Sequence, residues 1–167
     1  MTTAPQTQSR HPFPPVYDEH SRILILGSFP SVRSRDTGFY YGHPRNRFWN
    51  TLAAMLCTSV PQTVEEKKAF LLAHRIALWD TCAACTVTGS ADTAIRHVVP
   101  NDIRPILAAA DIRAVFCGGK TAHRLYERHI LPQTGIPAVC LPSTSPANAA
   151  CSQEALQTAW SVILSYL

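Results

Sequence analysis

Short apolar runs alternate with amphipathic stretches along this chain. Four runs have the length and composition of buried strands: 22–26 (RILIL), 76–80 (IALWD), 112–117 (IRAVFC) and 137–141 (PAVCL). Apolar residues at helical spacing predict helices that begin after Asn46 and after Thr63 and that cover 101–110, 120–131 and 152–167. Alternating strands and helices predict an α/β fold, a three-layer α/β/α sandwich with a central, mainly parallel four-stranded sheet.

Local signals refine several of these helices. Thr63 followed by Glu66 is a capping-box pattern. Asn101 is a favourable cap for a helix that tolerates Pro105 in its first turn. In the closing helix, four residues are expected to face the core: Leu156, Trp160, Ile163 and Leu164. Residues 1–20 are expected to form a flexible tail, and residues 21–167 a single domain.

The carboxyl ends of the predicted strands carry the residues best suited to a site. In a parallel α/β sheet these ends meet at one edge, where ligands bind. The segments that follow the four strands are GSFPS (27–31), WDTCAAC (79–85), CGGKT (117–121) and LPSTSPAN (141–148). The first of these segments leads into the stretch FYYGHPRNRFW (39–49). This stretch places aromatic rings and arginines on both sides of Asn46. We therefore expect a functional site at this edge.

The charge of the chain favours an acidic partner. The net charge is +4 with histidine neutral, and 12 of the 15 basic residues are arginine, which binds phosphates with a planar fork of donors. Four arginines share a fifteen-residue window with a single acid, Asp36: Arg33, Arg35, Arg45 and Arg47. A solvated loop is an equally acceptable interpretation of this cluster.

The sequence contains no signal for membrane insertion or export. The N-terminus has no apolar run behind a basic start, and no run approaches the ~20 apolar residues that span a bilayer. A cytoplasmic protein is therefore expected. In such a protein the six cysteines do not indicate a disulfide framework. Cys82 and Cys85 form a CxxC pair, but a structural zinc site needs four ligands, so neither a metal nor a cofactor is expected.

The chain carries an incomplete phosphate-binding motif and lacks a common serine hydrolase motif. The segment 118–121 (GGKT) resembles the end of a phosphate-binding P-loop, but Ala114 stands where that pattern needs a glycine. Gly118 and Gly119 are explained by a strand end that opens a helix, and Lys120 remains able to reach a phosphate. No G-x-S-x-G elbow accompanies the serines, which disfavours a serine hydrolase.

Two distant segments resemble the signature motifs of the uracil-DNA glycosylase superfamily. They are LILGSFPSVRSRDTGFYYGHPRNRFW (24–49) and LPSTSPAN (141–148), and the likeness is greatest to the DNA-deoxyinosine, or hypoxanthine-DNA, glycosylase group. The resemblance implies an enzyme that extrudes a deaminated base, uracil or hypoxanthine, from DNA and hydrolyses its N-glycosidic bond with water. The implied product is an abasic site without strand cleavage, because neither motif contains a lysine for a Schiff base.

The resemblance also implies roles for individual residues. The catalytic residue is expected to be Asn46, the asparagine of the HPRN segment, which would orient a water through its carbonyl. The base pocket is expected to contain Gly27, Ser28, Phe29, Pro30, Tyr41 and Asp80, with Tyr41 as the stacking ring. The residues expected to contact DNA are Ser31, His43, Arg45, Lys120, Ser143, Thr144, Ser145 and Asn148. Arg47 is expected to help attract phosphates.

One position departs from the usual pattern of the superfamily. Members usually carry Asp or Asn third in the first strand-end turn, to position the attacking water, and this chain has Phe29 there. A phenyl ring cannot hold a water, so the proposed chemistry depends on Asn46. A purely structural role for Asn46, as cap of the following helix, is the alternative, and both roles are compatible.

Two other functions remain open at this point. One is a hydrolase or transferase of free nucleotides or nucleosides on the same fold, which would need a complete phosphate-binding loop. The other is a nucleic-acid-binding module without catalysis, which the Phe29 substitution allows. The expected partner is DNA that contains a deaminated base, with no obligate protein partner and no membrane.

Overall fold

Two sheets with helices around them make up the fold in the computed structural model, which describes residues 8–87 and 95–167. The strands are β1 (Gln8–Arg10), β2 (Ile23–Gly27), β3 (Ile76–Asp80), β4 (Cys82–Val87), β5 (Ile95–Pro100), β6 (Ala114–Gly118) and β7 (Ala138–Leu141). The α-helices are α1 (Val32–Thr37), α2 (Phe48–Met55), α3 (Val64–Ala73), α4 (Arg104–Ala109), α5 (Lys120–His129), α6 (Leu131–Thr134) and α7 (Gln153–Trp160). Short 3-10 helices cover Pro146–Asn148 and Ser161–Tyr166.

The central sheet has four parallel strands in the order β3-β2-β6-β7. Every residue of β2 is buried, because the strand has a neighbour on each side and helices on each face. Ile23 and Ile25 join the core on one face of the sheet, and Leu24 and Leu26 join the core on the other. This two-sided burial explains why the strand is an unbroken apolar run, and the predicted parallel sheet is confirmed.

Helices cover both faces of this sheet. On the face of Ile25 the core includes Phe48 and Leu52 of α2, Phe70 and Leu71 of α3, and Leu156 and Trp160 of α7. On the face of Leu24 it includes Ile106 of α4 and Ala122 and Tyr126 of α5. The three-layer α/β/α sandwich is therefore confirmed. None of the helices in residues 8–87 and 95–167 combines the length and the hydrophobicity needed to cross a bilayer.

A second, antiparallel sheet was not predicted. It has the order β1-β4-β5, and β4 begins after a single residue, Thr81, that follows β3. Thr81 donates its backbone N–H to the carbonyl of Gly27 (2.7 Å), and Cys82 donates to that of Ser28 (3.0 Å). The chain thus passes directly from the end of β3 along the loop after β2, which ties the second sheet to the edge where a site is expected.

The expected flexible tail is wrong for residues 8–20. Strand β1 pairs with β4, and Val16 exchanges backbone hydrogen bonds of 2.9 Å with Leu78 on β3. Phe13 and Val16 are buried in the core beside Tyr40, whose hydroxyl donates to the carbonyl of Pro14 (3.0 Å). The prolines of this segment disfavour a helix but permit an extended chain that places its apolar residues inward. The unit packed around the central sheet therefore begins well before residue 21.

Several helix ends differ from the local predictions, and one agrees with them. The Thr63–Glu66 capping box is present. The loop expected after β2 contains α1, capped by the Ser31 hydroxyl. Asn101 does not cap α4; its side-chain amide instead donates to the carbonyls of Asp80 (2.8 Å) and Cys82 (3.1 Å). Ile163 is buried as expected, but Leu164 is 41% exposed, because the chain tightens into a 3-10 helix after Trp160.

Candidate active site

A cavity of about 900 Å³ lies outside the carboxyl ends of the four parallel strands. The strand order changes direction between β2 and β6, and such a switch point is where open α/β sheets form crevices. The predicted site residues that line the cavity are Gly27, Ser28, Phe29, Pro30, Ser31, Tyr41, Asn46, Asp80, Lys120, Ser143, Thr144, Ser145 and Asn148. The two that do not line it are His43 and Arg45.

Gly27 and Asp80, at the ends of the paired strands β2 and β3, stand side by side at the bottom of the cavity. A Cβ added to Gly27 would collide with Oδ1 of Asp80 and would lie 3.2 Å from the Tyr41 hydroxyl oxygen. Gly27 is therefore required by space. Burial and the neighbouring Asp80 carboxylate, with a smaller effect of Tyr41, raise the pKa of Tyr40.

An aromatic stack forms one wall of the cavity. The ring of Tyr41 lies nearly parallel to that of Phe48, with centroids 3.9 Å apart and an interplanar angle of 13°. Phe48 is fully buried and is held edge-on by Trp49 and Trp160. Tyr41 is half-buried and has a left-handed backbone (φ 55°). Its ring is thus a rigid surface at the cavity wall, suited to stacking on a planar ligand.

Asn46 is held by its side-chain oxygen. Oδ1 accepts the backbone N–H of Phe48 (2.9 Å) and the hydroxyl of Thr144 (2.8 Å). The Phe48 N–H can only donate, so it fixes which end of the amide is the oxygen. Both lone pairs of Oδ1 are then used, and the Nδ2 group is the part of Asn46 that remains for a ligand. The expectation that its carbonyl orients a water does not fit this geometry. The alternative role as helix cap is not met as stated either, because Arg47 holds the cap position of α2; Asn46, one residue earlier, instead accepts the N–H of the first helical residue.

Arg47 joins the two predicted motifs. Its guanidinium donates to the backbone carbonyls of Cys151 (2.7 Å) and Asn148 (3.1 Å), and its backbone N–H donates to the carbonyl of Thr144 (3.1 Å). These bonds occupy the guanidinium within the protein. Arg47 therefore has a structural role, and its attraction of phosphates stays a prediction.

The second motif is a turn stabilised by its own side chains. The Ser143 hydroxyl accepts the N–H of Ser145 (3.1 Å), and the Ser145 hydroxyl accepts the N–H of Ala147 (3.2 Å). The Asn148 amide donates to the carbonyl of Ser143 (3.0 Å). A hydroxyl that accepts one bond can still donate its own proton, so both serines can present donors to a ligand in the cavity.

The beginning of α5 adds cationic character to the cavity. Gly119 has φ 107° and donates its N–H to the carbonyl of Leu141 (2.7 Å), and a Cβ there would lie only 3.2 Å from that of Ser143. Both the backbone angle and the close approach require glycine. Lys120 follows at the first position of α5 and is exposed. Gly119 is thus explained by chain geometry, as the sequence indicated, whereas a Cβ at Gly118 would only make ordinary contact with Trp160 (3.6 Å).

Sequence reasoning missed two cavity neighbours. Arg35 lines the cavity, with its guanidinium carbon 5.7 Å from the centre of the Phe29 ring. His11 lies behind Phe29, with ring centroids 5.9 Å apart, and its Nε2 is 2.7 Å from Oδ2 of Asp80. Arg35 belongs to an arginine cluster that the sequence displays. His11 gives no signal, because a single histidine in a proline-rich segment has no periodicity to reveal it.

His43 and Arg45 lie in the turn that precedes α2. The ring Nδ1 of His43 accepts the N–H of Arg45 (3.0 Å), and its carbonyl accepts the N–H of Asn46 (2.9 Å). His43 therefore shapes the turn that presents Asn46, while Arg45 is exposed. Their contacts with DNA stay a prediction.

The cysteine pair of the CxxC segment is buried beside the cavity. A hydrogen bond to Cys85, together with burial, raises the pKa of the Cys82 thiol. Within residues 8–87 and 95–167, no three His, Cys, Asp or Glu side chains come together in a way that could hold a metal ion.

The combined features define a class of enzyme. A strand-end cavity with an aromatic wall, a fixed amide and a carboxylate suits a base turned out of a nucleic acid, bound by stacking and read along its edge. Donors and charges fixed in such a cavity are suited to stabilising the charges that develop when a glycosidic bond breaks. These features suit the site of a glycosylase.

Comparison with known proteins gives the family. A profile of the uracil DNA glycosylase superfamily matches residues 14–164. The chain is 37% identical to a hypoxanthine DNA glycosylase of Methanosarcina acetivorans over 138 residues, which are 81% of this chain and 86% of the relative. The chain is 35% identical to a hypoxanthine DNA glycosylase of Methanosarcina barkeri, again over 138 residues, which are 81% of this chain and 86% of the relative.

A solved structure agrees with these sequence relatives. The solution NMR structure of a candidate uracil DNA glycosylase from M. acetivorans superposes with a TM-score of 0.80 at 32% identity, covering 94% of this chain and 96% of the other. The protein therefore belongs to the uracil DNA glycosylase superfamily, and it is a DNA glycosylase.

The bonds of Arg47 predict a difference between two neighbouring arginines. Arg47→Lys loses the fork that reaches two carbonyls at once and is expected to lower the free energy of unfolding by about 1–2 kcal/mol. Arg45→Lys, the same change at an exposed position, is expected to stay within about 0.5 kcal/mol of the parent. Urea unfolding measures both, and equal losses would contradict the structural role of Arg47.

Proposed function

We propose that this protein removes hypoxanthine, and with it uracil, from DNA by hydrolysing the N-glycosidic bond with water, leaving an abasic site without cutting the strand. The observation that carries the proposal is the fixed amide of Asn46 at the wall of a cavity that also contains the Tyr41 ring and the Asp80 carboxylate. The names of the two Methanosarcina relatives support hypoxanthine as a substrate.

Tyr41 and Asp80 recognise the flipped base. The base stacks on the exposed face of the Tyr41 ring, which Phe48 supports from behind. Oδ1 of Asp80 accepts the ring N–H of the base, which is N1–H in hypoxanthine and N3–H in uracil. Adenine and cytosine have an unprotonated nitrogen at the corresponding position, so a carboxylate oxygen repels them. Deamination of adenine or cytosine therefore creates the ring N–H that Oδ1 of Asp80 binds.

Asn46 acts on the reaction as a donor. Breaking the glycosidic bond builds positive charge on the sugar and negative charge on the departing base. With Oδ1 occupied by Phe48 and Thr144, the Nδ2–H group holds the oxygen of the attacking water or stabilises the base as it leaves. Neither action requires Asn46 to take a proton, which suits an amide.

The DNA backbone is held around the mouth of the cavity. Lys120 and the hydroxyls of Ser143 and Ser145 provide charge and donors for phosphates next to the flipped nucleotide. Ser31, Thr144 and Asn148 mainly shape the loops that present them. His43 and Arg45 extend this surface outside the cavity. The cytoplasmic location and the lack of an obligate protein partner, both expected from the sequence, stay predictions.

The choice of base is tested on duplexes that carry one lesion each. Purified protein is incubated with DNA containing hypoxanthine, uracil, xanthine or mismatched thymine, and abasic sites are revealed by alkali. Release of hypoxanthine and uracil, with strand breaks only after alkali, is the expected result. Binding without release of any base would favour a non-catalytic module, and release only from free nucleosides would favour a nucleoside hydrolase.

The donor role of Asn46 is tested by two substitutions. Asn46→Asp keeps an oxygen for the Phe48 N–H and the Thr144 hydroxyl but removes the Nδ2 donor, whereas Asn46→Ala removes both. Each is expected to slow single-turnover base release by roughly 100-fold or more, as removal of one catalytic donor does in other enzymes. Only Asn46→Ala should also lose about 1 kcal/mol of stability, because it loses the helix-start bond.

The matched control is Asn50→Ala, an exposed asparagine on α2. It should release base at the rate of the parent. Parental activity in Asn46→Asp would show that the oxygen of residue 46, and not its nitrogen, supports the reaction.

A further inference from the structure

We infer that His11, carried by the N-terminal segment, positions the Asp80 carboxylate so that one of its oxygens reads the ring N–H of the flipped base. This inference rests on the proposed function of the same cavity. It makes His11 a positioning residue for base selection, and it makes the segment before residue 21 part of the site.

His11 is built into the interior by its surroundings. Its side chain is 4% exposed, and its ring is surrounded by the rings of Phe13, Phe29, Tyr40 and Trp79 at centroid distances of 5.7, 5.9, 5.8 and 6.5 Å. Its backbone N–H donates to the carbonyl of Ala83 (2.7 Å). An imidazole enclosed by four rings cannot turn freely, so its two nitrogens have fixed directions.

The two nitrogens of His11 have different partners. Nε2 is 2.7 Å from Oδ2 of Asp80, and Nδ1 is 2.8 Å from the carbonyl oxygen of Phe13 and 3.2 Å from its backbone nitrogen. If the ring is neutral, Nδ1 accepts the Phe13 N–H; if it is cationic, Nδ1 donates to the Phe13 carbonyl. In both states Nε2–H donates to the carboxylate, so the arrangement does not depend on the charge of the ring.

This bond fixes the rotation of the carboxylate. The Asp80 side chain is 6% exposed, and Oδ2 is occupied by His11. Oδ1 lies against Gly27, where a Cβ would collide with it, and no donor in residues 8–87 and 95–167 is bonded to it. The backbone of Asp80 is fixed separately, because its carbonyl accepts the Asn101 amide (2.8 Å). One oxygen is therefore used within the protein and the other is kept for the ligand.

The experiment measures base preference by affinity. Duplexes carry one 2′-fluoro nucleotide, which resists glycosidic cleavage, with either hypoxanthine or unsubstituted purine as the base. Purine lacks the N1–H and presents a lone pair in its place. The quantity measured is the ratio of the two dissociation constants, which is insensitive to the fraction of folded protein and to contacts with the backbone.

Four proteins are compared. His11→Phe fills the space but removes the donor, and it should reduce the preference for hypoxanthine roughly 10- to 100-fold, the effect expected for losing a hydrogen bond to a charged group. His11→Gln can place an amide N–H near the position of Nε2 and should restore most of the parental ratio. His20→Phe makes the same exchange at an exposed histidine and should leave the ratio unchanged.

An unchanged ratio in His11→Phe would overturn the inference, as would a parent protein without preference for hypoxanthine over purine. If His11→Phe does not fold, the role of His11 is tested by NMR of the parent protein. The Nε2–H resonance of His11 should then shift on addition of the hypoxanthine duplex and not of the purine duplex, and equal shifts would contradict the inference. Failure of the proposed function would appear separately, as no base release from cleavable DNA.

Discussion

The site depends on four hydrogen bonds that join the loop before α2 to the loop after β7. Three come from Arg47, to the carbonyls of Thr144, Asn148 and Cys151, and the fourth runs from the Thr144 hydroxyl to Asn46. Because these segments are far apart in sequence, the bonds form only when the parallel sheet has brought the strand ends together. They hold the Asn46 amide with its oxygen bonded within the protein, and we propose that its nitrogen contacts the substrate.

The Asp80 carboxylate at the bottom of the cavity is also held at one end by the protein. Asp80 ends β3 beside Gly27, and the absence of a side chain at Gly27 leaves room for one carboxylate oxygen. His11 binds the other oxygen from the N-terminal segment. At both Asn46 and Asp80, the protein thus occupies one end of a polar group, and we propose that the other end binds the base, the water or both. Such prior positioning reduces the reorganisation that the reaction would otherwise require.

The sequence predicts those elements of the fold whose apolar pattern or capping residues lie within a few positions of one another. Strand β2 is apolar at every residue except Gly27 because both its faces are buried, and the Thr63–Glu66 box lies within one helical turn. Strand β1 could not be found, because QSR is polar and pairs with residues of β4 more than 70 positions later. The direction of the Asn46 amide was equally hidden, because the two hydrogen bonds that set it form only in the folded protein: one comes from the Phe48 N–H and the other from the Thr144 hydroxyl, 98 residues away.

The claim that Asn46 presents its nitrogen to the flipped nucleotide can be measured directly by NMR of the side-chain amides. A duplex with 2′-fluoro-deoxyinosine is titrated into labelled protein, and the Nδ2–H resonances of Asn46 and Asn50 are followed. The Asn46 resonances are expected to shift markedly at saturation, and those of Asn50, which is exposed on α2, are expected not to shift. Unshifted Asn46 resonances in a protein saturated with this DNA would contradict it.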